Sequence, residues 1–97
     1  MKNYLKESTF AMPDGEGIVI RELSAGGRRA LLEASKKFAG DHLYFAAVAA
    51  KASCPSMADE SPESILDAMP VEVLQPLAEA VLALSGITAE AERIALT

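Results

Sequence analysis

The spacing of hydrophobic residues changes in the middle of the segment IVIRELSAGGRRALLEASKK, which covers residues 18–37. Ile18 and Ile20 are two residues apart, as on one face of a strand. Leu31, Ala34 and Phe38 recur every three or four residues, as on the buried face of a helix. The pattern therefore predicts a strand that leads directly into a helix.

A turn signal precedes this strand and predicts a β-hairpin. Pro13-Asp14-Gly15 combines a residue with a preset φ and a residue that accepts a positive φ. One strand would end near Met12, and the second would cover Gly17–Leu23, where the run Ile-Val-Ile favours extended backbone. We assign the hairpin to residues 10–23 and leave residues 1–9 as a loose tail.

Four helices are predicted after the hairpin from their capping residues and periodicity. They run from the N-cap Ser24 to about Phe38, from His42 to about Ser53, from Pro62 to about Ala68, and from near Pro70 to Ser85. The second helix is apolar almost all the way round, which is typical of a central helix. In the last helix, Pro76 either kinks the first turn or moves the helix start to Gln75.

These elements predict a mainly α fold with a small N-terminal β-hairpin, in the α+β class. About four helices would surround one small core formed by residues 24–86, followed by a second loose tail, residues 88–97. A chain of 97 residues suits a single domain over residues 1–97.

Charge and cysteine content narrow the functional classes. Nine basic and fourteen acidic residues give a formal charge of −5, which argues against binding to nucleic acid or to an anionic membrane. The start of the chain lacks a signal peptide, and no apolar run approaches the roughly 20 residues needed to span a bilayer. Because Cys54 is the single cysteine, it cannot form an internal disulfide, and we predict a cytoplasmic protein.

The segment SAGGRR raises the possibility of a phosphate cradle at a helix start. It lacks the spacing of known phosphate-binding loops, so we interpret it as a weak helix start with solvated Arg28 and Arg29. A helix-turn-helix is also disfavoured, because the second helix offers methyl groups where a recognition helix needs polar side chains.

No combination of reactive side chains predicts catalysis. His42 and Cys54 lie twelve residues apart on one predicted helix, so about 18 Å would separate them at about 1.5 Å per residue. Cys54 is read as a small buried hydrophobic residue. Asp59, Glu60, Glu63 and Asp67 are read as a solvated acidic loop and helix face. We expect no catalytic residue, no metal site and no cofactor, and therefore no enzyme.

Three motifs in a fixed order resemble a known family. The first is a strand running into VIRELSA and a helix. An alanine-rich helix follows, ending at a cysteine before ADESPESILDAMP, and the last motif is VEVLQPLAEAVLALSGIT. Together they resemble the small tail assembly chaperones of long-tailed bacteriophages and prophages, over roughly residues 17–88. Gly26-Gly27 departs from the family pattern, as does Ser85, where the family often has Asn.

The resemblance implies a function in tail assembly. Such chaperones bind the long helical tape measure protein, keep its apolar surface soluble and help to recruit tail tube subunits. A longer product made by ribosomal frameshifting would contact the tube protein, and the present chain would be the short form. The resemblance also implies the cytoplasm of the bacterial host and absence from the finished virion. The alternative is a small structural or adaptor component of a phage or prophage particle.

Three places are candidates for contact with a partner, and the sequence does not decide among them. They are the strand edge over residues 18–22, with Ile18 and Ile20, the outer side of the helix residues Tyr44 and Phe45, and the tail residues Ile94 and Leu96. A homo-oligomer also remains open, since apolar helices in short chains often pair with a second copy.

Overall fold

The computed structural model describes residues 3–87 and has the predicted α+β architecture. Its elements are β1 (Glu7–Ala11), β2 (Gly17–Arg21), α1 (Ala25–Lys37), α2 (His42–Ser53), a 3-10 turn (Pro55–Met57), α3 (Pro62–Ala68) and α4 (Val71–Leu84). None of the four helices within residues 3–87 has the length and hydropathy of a bilayer-spanning segment.

The hairpin starts earlier than predicted. β1 and β2 pair antiparallel, from Glu7 opposite Arg21 to Ala11 opposite Gly17. Residues 7–9, which we had assigned to the loose tail, therefore belong to β1. The polar sequence of β1 carries little strand signal of its own, and its extent follows from pairing with β2. Gly15 has a φ of 90° in the connecting turn, as the turn signal requires.

The first three helices each begin after a residue whose side chain caps them, and for α1 this is the predicted Ser24. The side chain of Ser24 accepts a hydrogen bond from the Gly27 N–H, and that of Asp41 accepts one from the Tyr44 N–H. Ser61 caps α3 in the same way. These contacts satisfy amide groups that the first turn of a helix leaves without a partner.

Pro76 does not move the start of α4. The helix begins at Val71 and runs through Pro76, so the alternative start at Gln75 is wrong. Pro76 removes the N–H that would otherwise bond to the Glu72 carbonyl. Both residues lie on the exposed side of α4, where water can bond to that carbonyl instead.

Helix α2 occupies the centre of the domain and packs against α1, α3 and α4. Its inner positions are alanines, which let the neighbouring helices come close: Ala46 is 4% exposed, and Ala47, Ala49 and Ala50 are 0% exposed. From α4, the fully buried side chains of Leu74, Leu77 and Val81 complete the core. The central position predicted for the all-apolar helix is observed.

One expectation for α1 is wrong. Phe38 is predicted on the buried face, but it is the C-cap of α1 and is 38% exposed, while Leu31 and Ala34 are buried as predicted. Gly27 lies in the first turn of α1, as predicted, and it is in addition a close-packing position. A Cβ at Gly27 would lie 3.3 Å from Leu23 Cδ2 and 3.5 Å from Ala52 Cβ, so the absence of a side chain lets α1 approach both residues.

Candidate partner-binding surfaces

Hydrogen bonds at the two ends of the hairpin identify the outer edge of β2. They run from the Met12 N–H to the Glu16 carbonyl and from the Glu22 N–H to the Lys6 carbonyl. Bonded and non-bonded pairs alternate along an antiparallel ladder. The even-numbered residues of β2 therefore bond to β1, while Gly17, Val19 and Arg21 direct their backbone N–H and C=O groups outward.

One end of this edge is bonded to the helices. The Ser53 hydroxyl of α2 donates to the Arg21 carbonyl. Just beyond the strand, the Leu23 N–H donates to the Ser85 Oγ at 2.8 Å, and that hydroxyl donates to the Val81 carbonyl. We call this the anchored end of β2; it joins the hairpin to the C-terminal ends of α2 and α4.

The Ser85 carbonyl makes a further bond with α1, because it accepts from the Arg28 guanidinium. Arg28 is exposed, as predicted, but its guanidinium also makes this bond to the end of α4. Arg29 is exposed, in agreement with the prediction. The carbonyl at the end of α4 is thus bonded to α1, while the Ser85 hydroxyl is bonded to the chain next to β2.

The other end of the edge, Gly17–Val19, borders an open groove of about 480 Å³, and we call it the open end of β2. The groove is lined by Met12, Asp14, Glu16, Gly17, Ile18, Val19, Pro55 and Ser56. Within residues 3–87, no hydrogen bond reaches the outward backbone groups of Gly17 and Val19. The same strand is therefore bonded at one end and unpartnered at the other.

Two carboxylates give the groove a negative rim. Asp14 and Glu16 are exposed, and the Asp14 carboxylate accepts from the Glu16 N–H at 3.0 Å. No ion pair in the described part of the chain involves either residue. Arg21 and Glu7 do form an ion pair, at 3.6 Å, but they lie at the end of the hairpin furthest from the turn. Among residues 3–87, no cation forms an ion pair with the rim.

A second surface lies where α1 meets α2, and we call Phe38, Leu43 and Tyr44 the aromatic corner. The rings of Phe38 and Tyr44 are in contact, with centroids 4.2 Å apart and planes tilted by 40°. Phe38 and Leu43 are 38% and 39% exposed. The Lys37 Nζ lies 5.8 Å from the centre of the Phe38 ring, within the range of a cation–π contact.

The predicted contact residues have different positions in the structure. Ile20 is only 2% exposed and belongs to the core, so the expectation of an accessible side chain there is wrong. Ile18 lines the groove, whereas Tyr44 belongs to the aromatic corner. Phe45 is half-buried and packs against the core. The tail residues Ile94 and Leu96 lie outside the described residues.

Val19 is 43% exposed at the open end of β2, and it lies within the predicted strand edge, residues 18–22, although the prediction did not single it out. Strand alternation implied that Val19 and the neighbouring Ile20 point to opposite faces. It could not say which face the helices cover. The exposed side chains of Phe38 and Leu43 were missed for the same reason, since both are apolar residues in helical patterns.

The reactive side chains do not come together. His42 is exposed at the start of α2, whereas Cys54 is buried at its end. Burial raises the pKa of the Cys54 thiol from 9.0 to about 11, so it is a protonated, poor nucleophile at neutral pH. Within residues 3–87, no group of three or more His, Cys, Asp or Glu side chains is arranged to hold a metal ion.

Comparisons of the chain with protein-family models, with curated proteins and with solved structures gave no match.

Proposed function

We propose that this protein is a non-catalytic chaperone of phage tail assembly that binds a helical client through its aromatic corner. The client would be the tape measure protein, whose apolar helices would stay soluble in the host cytoplasm until tube subunits assemble. Support comes from the three ordered sequence motifs. The observation that carries the proposal is the aromatic corner, an exposed apolar cluster on a small helical domain.

The aromatic corner is suited to a helical ligand because its side chains are held in place. The Tyr44 ring contacts the Phe38 ring at a tilt of 40°, and the Tyr44 N–H donates to the Asp41 carboxylate that caps α2. Ordered side chains lose little conformational entropy on binding. Amphipathic helices bind such surfaces with apolar residues spaced by three or four positions.

The charge around the corner favours an acidic client helix. Residues 24–51 contain five basic and two acidic side chains, whereas residues 52–87 contain six acidic and no basic ones. The exposed lysines Lys36 and Lys37 immediately precede Phe38. A client helix with an apolar ridge and flanking carboxylates would complement this half of the domain.

Co-expression with the tape measure protein from the same phage or prophage tests the proposal. We expect the client to move into the soluble fraction and to co-purify with this protein. The double substitution Phe38→Ala and Tyr44→Ala should abolish both effects. The matched control is Val71→Ala, since Val71 is a similarly exposed apolar residue, 44% accessible, on α4.

The proposal would be contradicted if the wild-type protein did not change the solubility of the client. It would also be contradicted if Val71→Ala abolished solubilisation and co-purification as fully as the double substitution. Circular dichroism of each variant separates loss of binding from loss of folding. Mass spectrometry of purified virions separates a chaperone, which should be absent, from a structural subunit of the particle. A slippery sequence near the end of the gene would support a longer form that contacts the tube protein.

A further inference from the structure

We propose that the open end of β2 is a second binding site, which takes an extended basic segment of a partner protein by strand addition. The site differs from the aromatic corner in both position and ligand chemistry. The inference therefore does not rest on the proposed chaperone function. It rests on the unpartnered strand edge, on the groove beside it and on the charge of the groove's rim.

The backbone at the open end of β2 can pair with an added strand. Gly17 and Val19 each direct one N–H and one C=O outward, which gives four groups able to bond to an added strand. Further along the same edge, the Arg21 carbonyl is bonded by the Ser53 hydroxyl. Within the part of the chain that the structure describes, the edge thus forms a hydrogen bond at Arg21 and has unbonded backbone groups at Gly17 and Val19.

The lining of the groove matches long basic side chains, which have an apolar stem and a charged end. Met12, Ile18 and Pro55 give it apolar walls, while Asp14 and Glu16 place two carboxylates at the turn. Lys and Arg can pack their methylene stems against apolar surface and extend the charged group to a carboxylate. An extended segment with a basic residue between apolar ones therefore fits, and an acidic segment would be repelled.

The hairpin contains its own control. Thr9 is the cross-strand partner of Val19 in a non-bonded pair, so its backbone groups point outward on the opposite edge, that of β1. Proline at either position removes an N–H that does not contribute to the hairpin ladder. Val19→Pro and Thr9→Pro should therefore perturb the hairpin similarly, but only Val19→Pro alters the proposed site.

The probe is the capped heptapeptide Lys-Val-Lys-Val-Lys-Val-Lys, titrated into the ¹⁵N-labelled full chain and followed by NMR. We expect amide shifts centred on Gly17, Val19 and Ser56, with a Kd of about 0.1–1 mM, as is usual for a weak contact of few residues. Val19→Pro should weaken binding at least about tenfold, and Thr9→Pro by less than about twofold. The same peptide with Glu in place of Lys should not bind.

A second variant keeps the test decisive if Val19→Pro fails to fold. The double substitution Asp14→Asn and Glu16→Gln should weaken binding about fivefold or more and reduce its salt dependence. The proposal would be overturned if Thr9→Pro weakened binding as much as Val19→Pro, or if the Glu peptide bound as well as the Lys peptide. It would also be overturned if the amide shifts were confined to α3 and α4, or if no shifts appeared at millimolar peptide.

Discussion

The two ends of β2 have similar backbone geometry and different surroundings. At the anchored end, the Arg21 carbonyl and the Leu23 N–H are bonded to serines of α2 and of the α4 C-cap. At the open end, Gly17 and Val19 face a groove with a negative rim. A short strand can therefore hold a hairpin on a helical core with one end, while its other end makes no outward backbone hydrogen bond within residues 3–87.

The largest expected effect concerns side-chain burial at neighbouring positions of the strand. Ile20→Ala should lower the free energy of unfolding by about 2–4 kcal/mol, because Ile20 is 2% exposed and the truncation leaves a cavity. Val19→Ala should change it by less than about 0.7 kcal/mol, since Val19 is 43% exposed. Urea denaturation followed by circular dichroism measures both, and similar costs would mean that the open end is also structural.

The next effect concerns the serine bonds of the anchored end. Ser85→Ala should cost about 1–3 kcal/mol, because it leaves the buried Leu23 N–H without an acceptor. The control is Ser64→Ala, which removes only an exposed bond to Glu60 and should cost less than about 0.5 kcal/mol. Hydrogen exchange of the Leu23 amide should accelerate in Ser85→Ala alone; unchanged exchange would contradict the assigned role.

A smaller effect on stability should appear at alkaline pH. It involves Cys54, the C-cap of α2, which follows the Ser53 that bonds to the anchored end. The pKa of Cys54 rises from 9.0 to about 11 on folding, so the unfolded chain loses this proton first. The contribution to stability is complete below pH 9 and falls as the pH rises towards 11. At pH 10 the loss should be roughly 1 kcal/mol relative to Cys54→Ala, whose unfolding is measured in parallel.

The reference variant is needed because Lys and Tyr side chains also titrate in this range. The quantity that matters is the difference in free energy of unfolding between wild type and Cys54→Ala at each pH. A difference that stays constant from pH 8 to 11 would show that burial does not perturb the thiol.

The smallest effect distinguishes the two glycines of α1. Gly26→Ala should raise the free energy of unfolding by about 0.5 kcal/mol, because Gly26 is exposed and alanine favours the helix. Gly27→Ala should be less favourable by about 1 kcal/mol, since its Cβ would press on Leu23 at the anchored end. Thermal unfolding of both variants checks the order, and a more stable Gly27→Ala would contradict the close packing.

The helices were predictable because their signals are local. Ser24, Asp41 and Ser61 each cap a helix through an amide three residues further on, and the apolar character of α2 marks its central position. β1 was less predictable, since its polar residues acquire strand structure by pairing with β2. Phe38 has a residue type and spacing that suggest burial, but α1 ends there and the side chain is left on the surface.

The candidate surfaces depend on contacts between distant parts of the chain. In the sequence, Ser85 was notable as the predicted end of the last helix and as a departure from a family pattern. Its hydroxyl binds the Leu23 N–H, 62 residues earlier, and this contact exists only once α4 lies beside the hairpin. Likewise, the open end of β2 becomes recognisable when Pro55 and Ser56 face it across the groove. Alternation and capping rules contain no information about such neighbours.

The four inner alanines of α2 restrict how this domain can diverge. At exposures between 0% and 4%, they leave no room for a larger side chain, because closely packed interiors tolerate added methylene groups poorly. Residues such as Leu74 on the surrounding helices can exchange for other aliphatic residues of similar volume. Natural variants should therefore keep very small side chains at the inner positions of α2, while the sequences of the outer helices change more freely. That helix would then be a recognisable signature in otherwise dissimilar chains.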